Sequence, residues 1–246
     1  MLKAIPIALL SLLYPQQCKL CNALAEAIGD GPICGDCWQK CRLFSGVETV
    51  CEKCGAFLSE AEPLYETFCR RCDDHHFDRA RAVGVYSGAV ASAVLYLKSE
   101  PFIPPRLRRQ LLVAYNDTFR GVSTLIVPVP LSARRHHERG FNQAAVIARE
   151  LSRVSGLPLD EHSLVRTRHT PTHRVAMDRK ARELSVKNAF SVLRPKLIED
   201  QNILLVDDIL TSGATVSNCA KALKIKGAAR VDAFTLARAV ISSDVQ

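Results

Sequence analysis

Aromatic side chains are scarce in this 246-residue chain: one Trp, five Tyr and nine Phe, or 6% of the whole. Proteins that hold single-stranded nucleic acid commonly stack bases on rings set among basic residues. The basic stretch at 133–140 (ARRHHERG) lacks such rings, so contact with single-stranded DNA is expected to be weak and salt-sensitive. The N-terminal apolar run (MLKAIPIALLSLLYPQQC, 1–18) is too short to cross a bilayer. A signal peptide would open similarly. No A-x-A-like cleavage site follows, and Tyr14, Pro15, Gln16 and Gln17 lead straight to a cysteine, so the run reads as a buried amphipathic helix. Neither G-x-x-x-x-G-K-[ST] nor G-x-G-x-x-G occurs, which removes the P-loop and the dinucleotide fingerprint.

Acidic residues are few in one part of the chain. Residues 79–246 carry 26 Lys and Arg against 14 Asp and Glu, a balance of +12, whereas residues 1–78 carry 7 against 11, a balance of −4. The basic part points to an anionic partner: phosphate, nucleotide or nucleic acid. A solvated basic surface is the plainer reading.

Cysteine is abundant but confined. Nine of ten lie between Cys18 and Cys72, and eight of them form C-x-x-C pairs: Cys18/Cys21, Cys34/Cys37, Cys51/Cys54 and Cys69/Cys72. Cys41 is left over, and Cys219 reads as a small core residue in a helical pattern. Secreted disulfide frameworks do not usually repeat C-x-x-C, so the pattern implies zinc, a reducing compartment and a cytoplasmic protein. Tetrahedral zinc needs four ligands, and one pair supplies two. Sequential pairs give two structural zinc sites, and crossed pairing is the alternative. Gly55 suits a knuckle position needing positive φ. Four thiolates around Zn²⁺ leave about −2 per site, so two sites bring the chain from +8 to roughly +4. With every position filled by cysteine, no open catalytic position remains. An acidic ribbon grips phosphate poorly, so its expected role is structural or for docking a partner.

Residues 79–246 alternate strand-like and helix-like patterns: strands at 81–86, 124–130, 202–207 and 230–238, helices at 87–98, 141–156 and 213–227, and a proline-rich loop at 99–106. Residues 166–187 are basic and without periodicity, and read as a mobile loop. The expectation is an α/β protein: a cysteine-rich module (1–78), then a mostly parallel sheet flanked by helices (79–246).

The stretch ILLVDDILTSGAT (203–215) carries the chemistry. Its continuous apolar run marks a strand buried on both faces, and ligands of open α/β sheets bind beyond the carboxyl ends of strands. Asp207 and Asp208 at such an end can accept hydrogen bonds from vicinal hydroxyls, as on ribose. Thr211, Ser212, Gly213, Ala214 and Thr215 then enter a helix, where small side chains and the helix N-terminus suit a phosphate. A simple helix cap would explain one of these residues, not the series. A phospho-receiver domain would need more than the 38 residues that follow Asp208.

ILLVDDILTSGAT resembles the phosphoribosyl-diphosphate (PRPP) signature of type I phosphoribosyltransferases. With the four knuckles, FDRARAVGVYSG (77–88) and VPVPLSARRHHERGFNQA (127–144), the chain as a whole resembles the ComF competence family. The resemblance implies a type I phosphoribosyltransferase-like fold. It implies that Asp207 and Asp208 are catalytic and hold the ribose hydroxyls, and that residues 211–215 cradle the 5′-phosphate. It makes 127–131, with Val129, Pro130 and Leu131, the pyrophosphate loop, followed by Arg134, Arg135 and Arg139. Residues 166–184 would be the lid. His173, Ser185 and Ser212 stand where the family usually has Gln, Asn and Thr, and Ser99 and Glu100 replace an aromatic residue and a glycine after Lys98.

Two functions follow from the resemblance. One is transfer of the phosphoribosyl group to a nitrogen acceptor with Mg²⁺, linked to DNA uptake or to DNA as nutrient; His169 and His173 are the candidate bases. The other is a non-catalytic PRPP sensor or scaffold at the inner face of the membrane. Its candidate partners are single-stranded DNA, DNA-uptake or helicase proteins, and a second copy of the chain.

Overall fold

A computed structural model of the protein describes residues 16–24, 31–44, 48–59, 65–167 and 189–239. The expected N-terminal helix, lid residues 168–184 with His169 and His173, and residues 185–188 with Ser185 lie outside the described residues. The cysteine-rich part contributes α1 (Gly35–Gln39), β1 (Thr49–Val50) and β2 (Phe57–Ser59). There follow β3 (Ala80–Val85), α2 (Gly88–Tyr96), α3 (Pro105–Thr118), β4 (Leu125–Pro128), α4 (Ala133–Arg139), α5 (Gln143–Ser155), β5 (Leu164–Arg166), β6 (Phe190–Val192), β7 (Asn202–Leu210), α6 (Ala214–Ile225) and β8 (Arg230–Arg238).

The central sheet runs β3–β8–β7–β4, and each pair is parallel. β7 shows why. Ile203, Leu204, Leu205 and Val206 are all buried, with alternate residues facing opposite sides. Leu204 and Val206 join Val94, Leu107 and Ile147 of α2, α3 and α5. Ile203 and Leu205 join Val216 and Leu223 of α6. This is the period-two pattern of a strand covered by helices on both faces. Each such side chain contributes about 1.5–3 kcal/mol by leaving water. Each cysteine cluster joins one of these two cores. Cys18, Cys34 and Trp38 pack on the side of α2 and α3, whereas Cys51, Cys54 and Cys72 pack on the side of α6.

Several boundaries differ from those read in the sequence. β7 does not stop at Asp207 but runs to Leu210. The cause lies in its neighbours. β4 pairs only as far as Pro128 opposite Val206, while β8 continues to Arg238 opposite Leu210. Both aspartates therefore sit on a strand that outruns its neighbour on one side. Pro105 opens α3 as its first residue, where a missing N–H costs nothing. Residues 133–139 form α4, a helix the basic composition concealed; Ser132 caps it and Gly140 (φ 80°) ends it. α5 matches the expected helix, with the Asn142 side chain accepting from Ala144 N at 3.1 Å and Gly156 ending it at φ 75°.

β5 and β6 form an antiparallel pair that brackets the lid segment. Asp160 fixes the base of this pair. It accepts from the N–H groups of His162 (2.9 Å) and Ser163 (3.0 Å), from the Ser163 hydroxyl, and from Arg194 Nη2 at 2.6 Å. Burial alone would raise its pKa, but these donors and the Arg194 charge hold it below the usual carboxylate range. Asp160→Ala leaves those donors unpaired and is expected to destabilise the protein by about 2–4 kcal/mol. Because the folded-state pKa is depressed, wild-type Asp160 stabilises the protein above the ordinary Asp pKa, and this is lost as pH falls through the depressed value. Urea titrations at pH 7 and pH 3 check this; an unchanged midpoint at pH 7 refutes it.

Candidate functional site

The eight C-x-x-C cysteines assemble as two groups of four, Cys18/Cys21/Cys34/Cys37 and Cys51/Cys54/Cys69/Cys72, each with all sulfurs within 4.8 Å of one another. Measured separations are 3.8 Å for Cys18–Cys37, 3.6 Å for Cys21–Cys34, and 3.5 Å for Cys51–Cys72, Cys54–Cys69 and Cys69–Cys72. A zinc tetrahedron with bonds of about 2.3 Å has edges of about 3.8 Å, whereas a disulfide needs about 2.05 Å. The donor set therefore fits structural zinc. The grouping is the sequential one. Backbone N–H groups support the thiolates: Cys34 N and Leu20 N reach Cys18 Sγ at 3.4 and 3.5 Å, and Cys69 N reaches Cys51 Sγ at 3.2 Å. Burial would raise the Cys18 thiol, yet hydrogen bonds from the backbone of Cys34, Cys21 and Leu20 bring it down to about 6. The hydrogen bond from Cys54, helped by backbone donors, brings Cys51 down to about 4. Cys41 lies outside both groups, and burial pushes its thiol up. Cys219 is fully buried in the core beneath α6, as its helical pattern predicts.

The two adjacent carboxylates turn to opposite faces of β7, as consecutive strand residues must. Asp208 is 5% exposed, and its Oδ2 accepts from Gln143 Nε2 at 3.1 Å, at the start of α5. Asp207 is half-buried, and its Oδ1 accepts from the Asp208 N–H at 2.9 Å. Burial, then the Asp208 charge, push the Asp207 pKa well above the carboxylate range, while the Lys98 ammonium opposes them. Arg166, at the end of β5, feels both Asp207 and Arg135. Lys98 and Arg166 thus place positive charge near Asp207.

β7 leads directly into the small-residue turn. Thr211 is exposed, Ser212 and Thr215 are half-buried, and Gly213 and Ala214 are buried. Gly213 takes φ +80° as the residue before α6. A side chain cannot replace its hydrogen there, because a Cβ would lie 2.6 Å from Cε1 of His75. Ser212 Oγ accepts from Ala214 N at 3.4 Å.

In the loop after β4, Val129 N donates to Val206 O at 2.8 Å, and Val129 O accepts from Asn142 Nδ2 at 3.0 Å. Pro128 and Pro130 have no N–H. Of N–H groups beyond the sheet in 128–131, that leaves Leu131. Arg134 pairs with Glu138 on the surface at 2.7 Å. Arg139 donates to Gln143 Oε1, so Arg139, Gln143 and Asp208 form one chain of contacts.

Comparison with known proteins agrees with this architecture. A double zinc ribbon domain model matches residues 9–74, and a phosphoribosyl transferase domain model matches 137–243. The chain is 31% identical over 235 residues to the DNA utilization protein YhgH of Escherichia coli, covering 92% of this chain and 99% of that protein. This chain belongs to the ComF family. Competence protein F of Haemophilus influenzae is 29% identical over 91% of this chain and 97% of its own. Competence protein ComFC of Bacillus subtilis is 28% identical over 85% of each.

Three residues at this ComF-family site gave little sign of themselves in the sequence. Gln143 donates a hydrogen bond to the Asp208 carboxylate; its signal was a polar residue on the buried face of an amphipathic helix. His75 and Arg238 reach the small-residue turn from distant parts of the chain, which spacing cannot reveal. Among the described residues no helix is long and apolar enough to cross a membrane.

Proposed function

We propose that this protein binds PRPP with Mg²⁺ at the carboxyl edge of its parallel sheet and transfers the phosphoribosyl group to a nitrogen acceptor. The observation that supports this most is the continuity from Asp207 and Asp208 on β7 into the bare turn at Gly213. The aspartates would accept the ribose hydroxyls, and N–H groups of 211–215 would hold the 5′-phosphate. Leu131 N–H, with Arg135 and Arg139 nearby in sequence, would meet the diphosphate. Carboxylates and diphosphate oxygens are hard ligands of the kind Mg²⁺ prefers, and Mg²⁺ bound with PRPP would neutralise the departing diphosphate. The chain's own contribution is position and charge. Asp207 would stabilise the electron-poor ribose as its bond to diphosphate lengthens, with no covalent nucleophile required. Residues 1–78 supply the metal-held cover and residues 79–246 the site. The names of its relatives support a place in the use of incoming DNA.

Calorimetry with PRPP and Mg²⁺ tests the binding. Release of pyrophosphate across nucleobases, ammonia and simple amines tests the transfer. Turnover with one acceptor is expected. Tight binding without turnover across the panel gives a sensor instead, and no heat with PRPP refutes the site.

A further inference from the structure

The second zinc ribbon touches the small-residue turn at both ends. At its front, Arg238 closes β8, and only 7% of it is exposed. Its Nη1 donates to Leu210 O at 2.9 Å, to Ala239 O at 3.3 Å and to Thr211 O. Its Nη2 faces Cys54 Sγ at 3.9 Å. Its Nε has no hydrogen-bond partner among the described residues. A guanidinium held in this way needs a nearby anion, because an uncompensated buried charge is costly. The four-thiolate set beside it, still near −2 with zinc bound, is that anion. At the back of the turn, the chain leaves Cys72 and crosses the start of α6. His75 N donates to Cys72 O at 3.0 Å, and its ring rests on Phe77 with centroids 4.8 Å apart. The same ring closes over Gly213, and His76 N donates to Ser217 Oγ at 3.0 Å. The first ribbon packs on the other side of the sheet, with α2 and α3.

We infer that zinc in the second ribbon orders the turn at 210–217, with Arg238 and His75 as positioning residues, so that metal occupancy there sets affinity for a sugar phosphate. The ligand class rests on the function proposed above; the coupling of zinc to the turn does not. When zinc leaves, sulfurs that take up protons no longer offset the Arg238 charge, and its hold on the carbonyls of Leu210 and Thr211 and on Cys54 loosens. Losing the Cys72 anchor releases His75 from Gly213. Coupling between sites is reciprocal in binding free energy, so a ligand in the turn must tighten zinc binding in this ribbon.

The test uses the full-length zinc-loaded protein, Arg238→Leu, and Cys21→Ser, which retains only the second metal. Amide hydrogen exchange is followed in 210–217, with 203–206 of β7 as the internal reference. In Arg238→Leu, exchange in the turn is expected to rise at least tenfold while the reference stays protected. The same rise is expected in Cys21→Ser once a chelator removes its remaining zinc. Millimolar PRPP with Mg²⁺ is expected to raise severalfold the chelator concentration that removes half of that zinc at equilibrium. If the turn exchanges at wild-type rates both in Arg238→Leu and in zinc-stripped Cys21→Ser, the coupling is overturned, whether or not PRPP binds. If Arg238→Leu does not fold, the chelation arm decides alone. Faster exchange in the turn with no effect of PRPP on zinc affinity supports the coupling and removes the sugar phosphate as its ligand.

Discussion

Asp207→Asn is expected to melt at a higher temperature than the wild type at pH 7 while binding PRPP far more weakly. The two effects share one cause. Asp207 sits half-buried beside the Asp208 carboxylate, and burial and that charge raise its pKa well above the usual value. A raised folded-state pKa means that the folded chain holds this proton more tightly than the unfolded chain. Its contribution to stability is fully present below the ordinary Asp pKa and is lost as pH rises through the folded value. At neutral pH a titratable carboxyl at this position is therefore a net cost to the unliganded fold. Asparagine keeps the shape and an acceptor for the Asp208 N–H without the charge. A gain of about 1–2 kcal/mol corresponds to about 2–8 °C in a chain of this size. The difference from wild type vanishes near pH 4 and widens as pH rises. Hydrogen bonds to a charged partner contribute about 1.5–3 kcal/mol each, so Asp207→Asn with Asp208→Asn should weaken PRPP binding by roughly 10²- to 10⁴-fold. Scanning calorimetry from pH 4 to pH 8 and PRPP titrations measure both. A variant less stable than wild type at pH 7, or one binding PRPP normally, sinks the assignment.

The reasons for this arrangement were unevenly written in the sequence. The apolar run at 203–206 announced a strand buried on both faces, because period and composition are local properties. Its extension through Asp207 and Asp208 to Leu210 was not legible, because the neighbouring strands set it: β4 ends opposite Val206 while β8 continues to Arg238. That inequality is what leaves the aspartates at an open edge. The small residues at 211–215 pointed to a close approach of backbone to an anion. The structure adds that Gly213 is also required by the His75 ring. The resemblance makes 127–131 the pyrophosphate loop, where backbone N–H groups would meet the diphosphate. Pro128 and Pro130 have none, and Val129 spends its own on Val206. The four knuckles gave eight ligands but not their grouping, since both sequential and crossed pairing satisfy a tetrahedron. Only the folded chain shows the sequential sets.

The acidic module was read as a separate unit, and its packing bears on the other large effect. Removing both metals is expected to lower the melting temperature of the whole chain by more than 10 °C, in one transition rather than two. A zinc ribbon on a flexible tether could unfold without consequence for its neighbour. Here five of the eight ligand cysteines lie inside the cores of the sheet. Cys18 and Cys34 share a cluster with Val94, Leu111 and Phe234, and Cys51, Cys54 and Cys72 share one with Phe77, Ile203 and Val216. Asp78, just after the second ribbon, accepts from Val231 N at 2.8 Å and Lys224 Nζ at 2.7 Å, tying it to β8 and α6. Metal binding to four-ligand sites of this kind contributes about 10–16 kcal/mol of apparent free energy, much of it folding free energy. Even a loss of about 5 kcal/mol corresponds to about 10–20 °C for a protein of this length. Cys34→Ser and Cys72→Ser, one ligand from each set, are each expected to bind one zinc and to melt between the holo and apo proteins. Cys41→Ser removes a thiol outside both sets and is expected to keep two zinc ions and the wild-type transition. Metal content by atomic emission and melting by calorimetry check all four proteins. A metal-free chain whose sheet melts at the holo temperature would show that the ribbons are passengers, and both the shared cores and the coupling through Arg238 would lose their energetic meaning.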